Sequence, residues 1–457
     1  MKKVFKYTVV FIILILIFNL LLFLGSIFPS SWIEKNVKRS SEILLEEGNI
    51  YYFIPKLMFG VTNNYTDALM INECYSIDNE TPFYSYMSAR RNYKKDLTVE
   101  TRTDTVGEGV SINYIKLFDE WSGKGVYDTI GELDDFINER INISIEYARY
   151  WHGYLFFLRI FLLIFDILQI RYILLIIFII LFIILMRLLN KKIGSIISVI
   201  FGFSLFCEGY FLVYYSLESS PIFITMMLGC IFLLMNIEKM KDFYLYIFII
   251  ACITTYIDYF TVPLITLGMP LYIYILYKQR STNLTVKESL KIVFISGIVW
   301  GLGYFLTWFA KWFLYDIIFD KDLVKSAITQ ALYRAESTNN ATSNTIGTVL
   351  YNFIYNNIFY FLFFAIIFHI CLIFLNLRNK ITYNRKKFYK YIKEILPFII
   401  ITFLPIAWYI ILTNHTVLHS HFVYRHMLIF LTGIIIVYYK WFEIIRKNDN
   451  KQMKKVK

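Results

Sequence analysis

Stretches of about 20 mostly apolar residues recur along this chain, and that recurrence constrains its fold more than any other feature. A helix needs about 20 such residues to cross the hydrocarbon core of a bilayer. Only helices and closed barrels satisfy their own backbone polar groups there. Apolar runs occur at residues 5–28, 170–189, 193–215, 222–237, 243–257, 260–277, 292–313, 350–375, 395–412 and 422–442. Of 457 residues, 58% are hydrophobic, against roughly 45–50% in a soluble domain, so the surplus needs lipid to face. The expected fold is an all-α polytopic membrane protein with about ten transmembrane helices.

The net charge of +12 would suit a nucleic-acid binder, but its distribution argues otherwise. The basic residues cluster in short loops between apolar runs, as topology signals do, not along a phosphate-binding groove. Read alternately, Lys2/Lys3/Lys6, Arg187/Lys191/Lys192, Lys239/Lys241, Lys278/Arg280/Lys287/Lys291, residues 378–393 and residues 440–457 all fall on one side. The positive-inside rule makes that side cytoplasmic and puts both termini there. Richness in Ile, Lys, Asn, Phe and Tyr points to an AT-rich bacterial genome, hence to a multi-pass protein of the bacterial plasma membrane. The run 5–28 exceeds the 7–15 residues of a signal-peptide core and no clean cleavage site follows, so it is expected to remain as the first span. Five scattered cysteines show neither metal-ligand spacing nor a disulfide framework.

Parity holds only if residues 153–169 do not span, so this stretch is expected as an interfacial helix anchored by Arg159 and Asp166. The organisation that follows is a first span (1–28), an extracytoplasmic loop domain (29–152), the interfacial helix (153–169), a transmembrane bundle (170–442) and a basic cytoplasmic tail (443–457). Within the loop domain, helical patterns run over 32–47, with Ser30 and Ser31 as candidate N-caps, and over 129–150, capped by Thr129. A second outer segment, 316–348, contains a loop-like stretch at 337–345.

The runs 222–237 and 243–257 reach only about 24 Å at 1.5 Å per residue, short of a hydrocarbon core of about 30 Å. Their outer ends should stop below the surface, which places Asp258 in a depression that Pro263 and Pro270 help to open. Local bilayer thinning is the equal alternative.

Charged groups deep in a membrane cost about 2.5–3.5 kcal/mol each on insertion scales, so each needs a partner or a function. Glu208 reads either as a site carboxylate or as half of an ion pair with Arg159 or Lys311. Asp258 sits at an outer turn, where a turn-capping carboxylate is the ordinary explanation. Lys311 lies at an outer helix end among tryptophans, which permits interfacial snorkelling or phosphate binding. The densest polar constellation is residues 414–426, with His415, His419, His421 and Arg425. The three histidines could hold a divalent metal or donate hydrogen bonds to a phosphate or sugar, and Arg425 best suits an anionic ligand. Asp67 is either an N-terminal helix cap or a general base. His152 closes the loop domain against the membrane among aromatics.

This layout of one N-terminal span, a large first outer loop, interfacial helices and then a bundle resembles the GT-C superfamily of integral membrane glycosyltransferases. The resemblance covers most of the chain as topology. It implies transfer of a sugar from a polyprenyl-phosphate-linked donor to an extracytoplasmic acceptor, a cell-surface glycan or lipid. Asp67 would match the family's first-loop acid and activate the acceptor hydroxyl. Arg425, with Lys311 or the histidines, would stabilise the phosphate leaving group. Glu208, Asp258 and His152 complete the substrate-binding candidates. Two other classes stay open: a transporter or flippase of lipid-linked saccharides, and a non-enzymatic membrane assembly protein.

Overall fold

The computed structural model describes residues 2–48, 50–54, 59–93, 129–139, 143–282, 284–335, 347 and 385–453. The expected span at 350–375, the stretch at 337–345 and Cys371 lie outside the described residues. The chain is predominantly helical. Among the described residues, five helices are long and apolar enough to cross a membrane: Lys3–Ser26, Ile167–Lys192, Val286–Phe319, Tyr391–Ile411 and Ser420–Lys440. Apolar side chains such as Phe5, Leu16, Val199, Ile298 and Ile317 stand exposed on helix surfaces, as a lipid-facing belt requires.

Helix α1 (Lys2–Ser26) leads into the loop domain. A 3-10 turn at Ser30–Trp32 precedes α2 (Glu34–Glu47), which stops at Gly48 with φ 74°. The expected serine caps are not formed: Ile33 precedes α2 without a side-chain cap, and the Ser30 hydroxyl donates to the Ile77 carbonyl at 2.7 Å. Strands β1 (Ile50–Ile54) and β2 (Phe59–Asn63) pair antiparallel. They are followed by α3 (Asn64–Tyr75), α4 (Pro82–Ser88) and β3 (Arg91–Tyr93). Helix α5 (Thr129–Ile137) is shorter than the expected 129–150. Glu139 adopts φ 57°, and β4 (Ile143–Ile145) pairs antiparallel with β3. Two β-branched residues spaced by two favour that extended pairing over continued helix. The domain is therefore helical with two small two-stranded ribbons.

In the bundle, α6 (Tyr154–Leu162) packs against α1 and α3. Arg159 on α6 is not an interfacial anchor. It is fully buried, with its guanidinium donating to the carbonyls of Gly25 (2.7 Å), Phe28 (2.7 Å) and Cys74 and to the Ser30 hydroxyl. This one side chain ties the end of α1, the loop domain and α6 together. Helix α7 (Ile167–Lys192) opens with a capping box of Asp166 and Gln169. The expected continuous run 193–215 is split into α8 (Ser195–Cys207) and α9 (Tyr210–Val213) by Gly209, at φ 72°, a left-handed conformation only glycine takes readily.

Helices α10 (Ser220–Asn236) and α11 (Phe243–Ile257) keep the short lengths read from the sequence, and Asp242 caps α11. Helix α12 (Ile265–Ser281) carries Pro270, and α13 (Val286–Phe319) runs for 34 residues from a Thr285/Glu288 capping box. Helix α11 packs closely on α13: a methyl group at Gly303 would come within 2.9 Å of the Phe248 carbonyl. Helix α14 (Leu323–Ala335) follows. The expected run 395–412 divides into α15 (Arg385–Thr402) and α16 (Leu404–Ile411), because Pro405 cannot continue the ladder. Short helices α17 (Thr413–Leu418) and α18 (Ser420–Val423) and a 3-10 turn (Tyr424–His426) lead to α19 (Met427–Met453), which packs on α8 and α15.

Candidate functional site

A long apolar groove of about 980 Å³ runs between α6, α7, α10 and α11. Its walls are side chains such as Phe157, Phe161, Leu174, Ile224, Leu228 and Ile253. One end is rimmed by Lys6, Lys239, Lys241 and Asp242, the other by Met70, Tyr154, Leu217 and Ser220. Helix α10, one of its walls, has 17 residues, about 25 Å at 1.5 Å per residue. The groove thus has nearly the length of a membrane leaflet pair and polar groups at both ends.

The Leu217 end meets a knot of buried charge. Asp67, in the first turn of α3, is fully buried with both carboxylate oxygens engaged. Oδ2 accepts from Arg171 Nη2 at 3.0 Å, and Oδ1 accepts from the Leu217 N–H at 2.9 Å. It does not cap α3. Arg171 also donates to Glu47 Oε2 at 2.9 Å and Asn64 Oδ1 at 2.9 Å, while its guanidinium lies 3.8 Å over the Tyr215 ring. Burial pushes the Asp67 carboxyl up to about 6, with Arg171 and the Leu217 N–H opposing the rise.

Next to Leu217 is Glu218, only 6% exposed and hydrogen-bonded by the Thr66 side chain. It stands within electrostatic reach of Asp67, Asp258 and Arg425. Burial first, then the Asp67 charge, pushes its carboxyl up to about 8, with Arg425 pulling the other way.

Asp258, after α11, has the turn-capping role that is ordinary for such a position. It accepts the Thr261 N–H at 3.1 Å and the Thr261 hydroxyl at 2.5 Å. Burial raises it to about 6 against these bonds. Its neighbour Phe260 adopts φ 66°.

Glu208 sits at the α8–α9 break, 1% exposed, and neither carboxylate oxygen has a hydrogen-bond partner among the described residues. Neither cation proposed for it is there: Arg159 is spent on backbone carbonyls, and Lys311 donates to the Met87 carbonyl at 2.8 Å. The charge that reaches Glu208 is that of Arg425. Arg425 lies in the turn before α19, 4.9 Å over the Tyr424 ring, and its Nε lacks a hydrogen-bond partner among the described residues.

Asp67, Asp258 and Arg425 are therefore linked electrostatically through Glu218, and Glu208 joins them through Arg425. Lys311 is built differently. Its buried ammonium, 5.7 Å from the Trp151 ring, fastens α13 to the loop domain through Met87.

The histidines form a second wall. His415 Nε2 meets the Phe260 carbonyl at 3.1 Å, and its ring centre is 4.7 Å from that of His419. His419 stacks on Phe422 at 5.1 Å, and His421 meets the same ring edge-on at 4.7 Å. Burial holds His415 and His419 well below the usual imidazole range, and the nearby Arg334 adds to that. Arg334 packs 5.0 Å over Phe260 and donates to the Tyr150 hydroxyl at 2.7 Å. Among the described residues no three His, Cys, Asp or Glu side chains group as a metal shell would need.

His152, at φ 54°, is buried against Glu73, with Nδ1 at 3.2 Å from Oε2 and Nε2 at 2.7 Å from the Tyr147 carbonyl. Glu73 also accepts from Tyr154 and, at 3.3 Å, from Tyr259. Tyr259 directly follows Asp258, so this network borders the cluster.

Glu218, Arg171, Glu73 and Arg334 do not stand out in the sequence, and Glu47, whose doublet with Glu46 on a helix ending in Gly48 reads as solvated, is held by Arg171 and Tyr215. Arg171 had a signal: it is a cation inside an apolar run, at the end opposite the basic loops. Glu218, in Ser-Leu-Glu-Ser-Ser-Pro, reads as an ordinary solvated loop. Comparison with protein-family models, with characterised proteins and with solved structures found no match.

Proposed function

We propose that this protein is a membrane glycosyltransferase that moves a sugar from a polyprenyl-phosphate-linked donor to an acceptor on the extracytoplasmic side of a bacterial plasma membrane. The reading includes ten spans and two cytoplasmic termini. The observation that carries it is the junction of a membrane-length apolar groove with buried carboxylates that Arg171 and the half-buried Arg425 face. A prenyl chain is apolar, flexible and long, and suits a groove walled by Phe, Ile and Leu. Its phosphate would lie at the Leu217 end, where the field of Arg425 enters the cluster. Electrostatic stabilisation of a phosphate leaving group is worth more at a cation partly shielded from water, as the half-buried Arg425 is, than at an exposed one. The carboxylates supply the base for the acceptor hydroxyl, and Asp67, held by Arg171, fixes their arrangement.

The groove also supports a second reading, movement of a lipid-linked saccharide across the membrane, because polar residues rim both of its ends. One experiment separates the two. The full-length protein in nanodiscs is given a polyprenyl-phosphate sugar and acceptors, and transfer is followed by chromatography; in proteoliposomes, donor flipping is followed in parallel. Transfer that falls at least a hundredfold in Asp67→Asn and Arg425→Gln is expected. Near-normal transfer in both variants would sink the assignment of the site to this cluster, wild type that transfers nothing would sink the enzyme reading, and flipping without transfer would establish the other.

A further inference from the structure

We propose that Glu218 is the group that takes the proton from the acceptor hydroxyl, an assignment that rests on the glycosyl-transfer reading above. Three observations carry it. Asp67, the acid singled out by the sequence, has both carboxylate oxygens engaged, one by the cationic Arg171 and the other by the Leu217 N–H. Asp258 is likewise committed to the Thr261 N–H and hydroxyl. Glu218 follows Leu217 and stands two residues before Ser220, both of which line the groove at the end where a lipid-linked substrate would present its head group. Its hydrogen-bond donor among the described residues is the neutral Thr66 side chain rather than a cation.

The surroundings also suit a base. The charged groups facing Glu218 are Asp67 from α3, Asp258 from the loop after α11, and Arg425 from the turn before α19. Two negative charges and burial raise its proton affinity, up to about 8, well above that of an ordinary carboxylate. A stronger base removes a hydroxyl proton more readily, and general-base catalysis contributes typically 10²–10⁴-fold. In the step itself, the acceptor oxygen bonds to the anomeric carbon while its proton passes to a Glu218 carboxylate oxygen. The bond from the anomeric carbon to the phosphate oxygen breaks, and its electron pair leaves with the phosphate, opposite Arg425. The sugar changes hands with no other reactant consumed.

The test uses the full-length protein in nanodiscs with a polyprenyl-phosphate sugar. Glu218→Gln keeps the shape and the Thr66 contact, and should lose transfer by a hundredfold or more while KM for the donor stays within about threefold. In the wild type, transfer should rise with pH through about 8. That rising limb should move to lower pH in Asp67→Asn, which removes a negative charge from beside Glu218. If Glu218→Gln does not fold, the wild-type limb and its shift decide alone. A Glu218→Gln enzyme that transfers within a few-fold of wild type overturns the assignment and leaves the transferase reading standing, as does a flat wild-type profile. Wild type that transfers nothing from any lipid-linked donor overturns the transferase reading and takes this assignment with it.

Discussion

Arg171 shows how much of this site hangs on a side chain whose role is invisible in one dimension. It holds Glu47, Asp67 and Asn64 at once, and Asp67 is 104 residues away along the chain. The sequence makes Asp67 noticeable, as a carboxylate among small polar residues before an apolar run, but it does not say which cation meets it. The same gap explains why Glu208 was matched with Arg159 or Lys311 when Arg425 is the charge beside it. Removing one partner of a buried ion pair costs about 3–5 kcal/mol, because the other charge stays buried alone. Arg171→Met should therefore destabilise the protein by about that amount at pH 8, read as a fall in the thermal midpoint in detergent. Burial has already raised Asp67 above its ordinary range. Losing the arginine raises it further, so the folded state binds protons that the unfolded chain releases. Stability then falls as pH rises through the folded value, and the deficit should shrink on acidification towards pH 5. A deficit that grows on acidification would show that Arg171 is not the counter-charge.

At the scale of elements, apolar runs were legible as helices but their interruptions were not. The run 193–215 contains Gly209 and the run 395–412 contains Pro405, and hydropathy alone carries across both. These breaks matter because Glu208 sits at the first, where the helix stops just short of the site. The short lengths of α10 and α11 were legible, and the structure makes the two helices walls of the groove, while Asp258, expected in an open depression, is buried. If a prenyl chain occupies that groove, its width should govern donor affinity. Leu228, half-exposed on α10, faces it, so Leu228→Trp should raise KM several-fold for a long-chain donor. For a donor truncated to a short chain that stays near the Leu217 end, KM should change little, with kcat unaltered for both. Equal losses for long and short donors would argue that the groove does not hold the chain.

For the whole molecule, the readable feature was asymmetry: polar residues in apolar runs lie mostly towards the face opposite the basic loops. The cluster draws on α3, the α8–α9 break, the loops after α9 and α11, and the turn before α19. Charge parity collects those segments at one face without knowing any contact, which is why the location was readable and the pairing was not. The groove gives the asymmetry a direction, from Lys239 and Lys241 at one end to Leu217 beside the cluster at the other. In the proposed topology the Lys239 end faces the cytoplasm, so the exposed Asn79 in the loop domain and the exposed Lys239 should lie on opposite sides of the membrane. In intact cells a membrane-impermeant maleimide should label Asn79→Cys directly and Lys239→Cys only after permeabilisation, because the four described native cysteines are buried. Labelling of both from one side would break the parity argument. The cluster could then no longer be placed at the outer surface, where an extracytoplasmic acceptor must arrive.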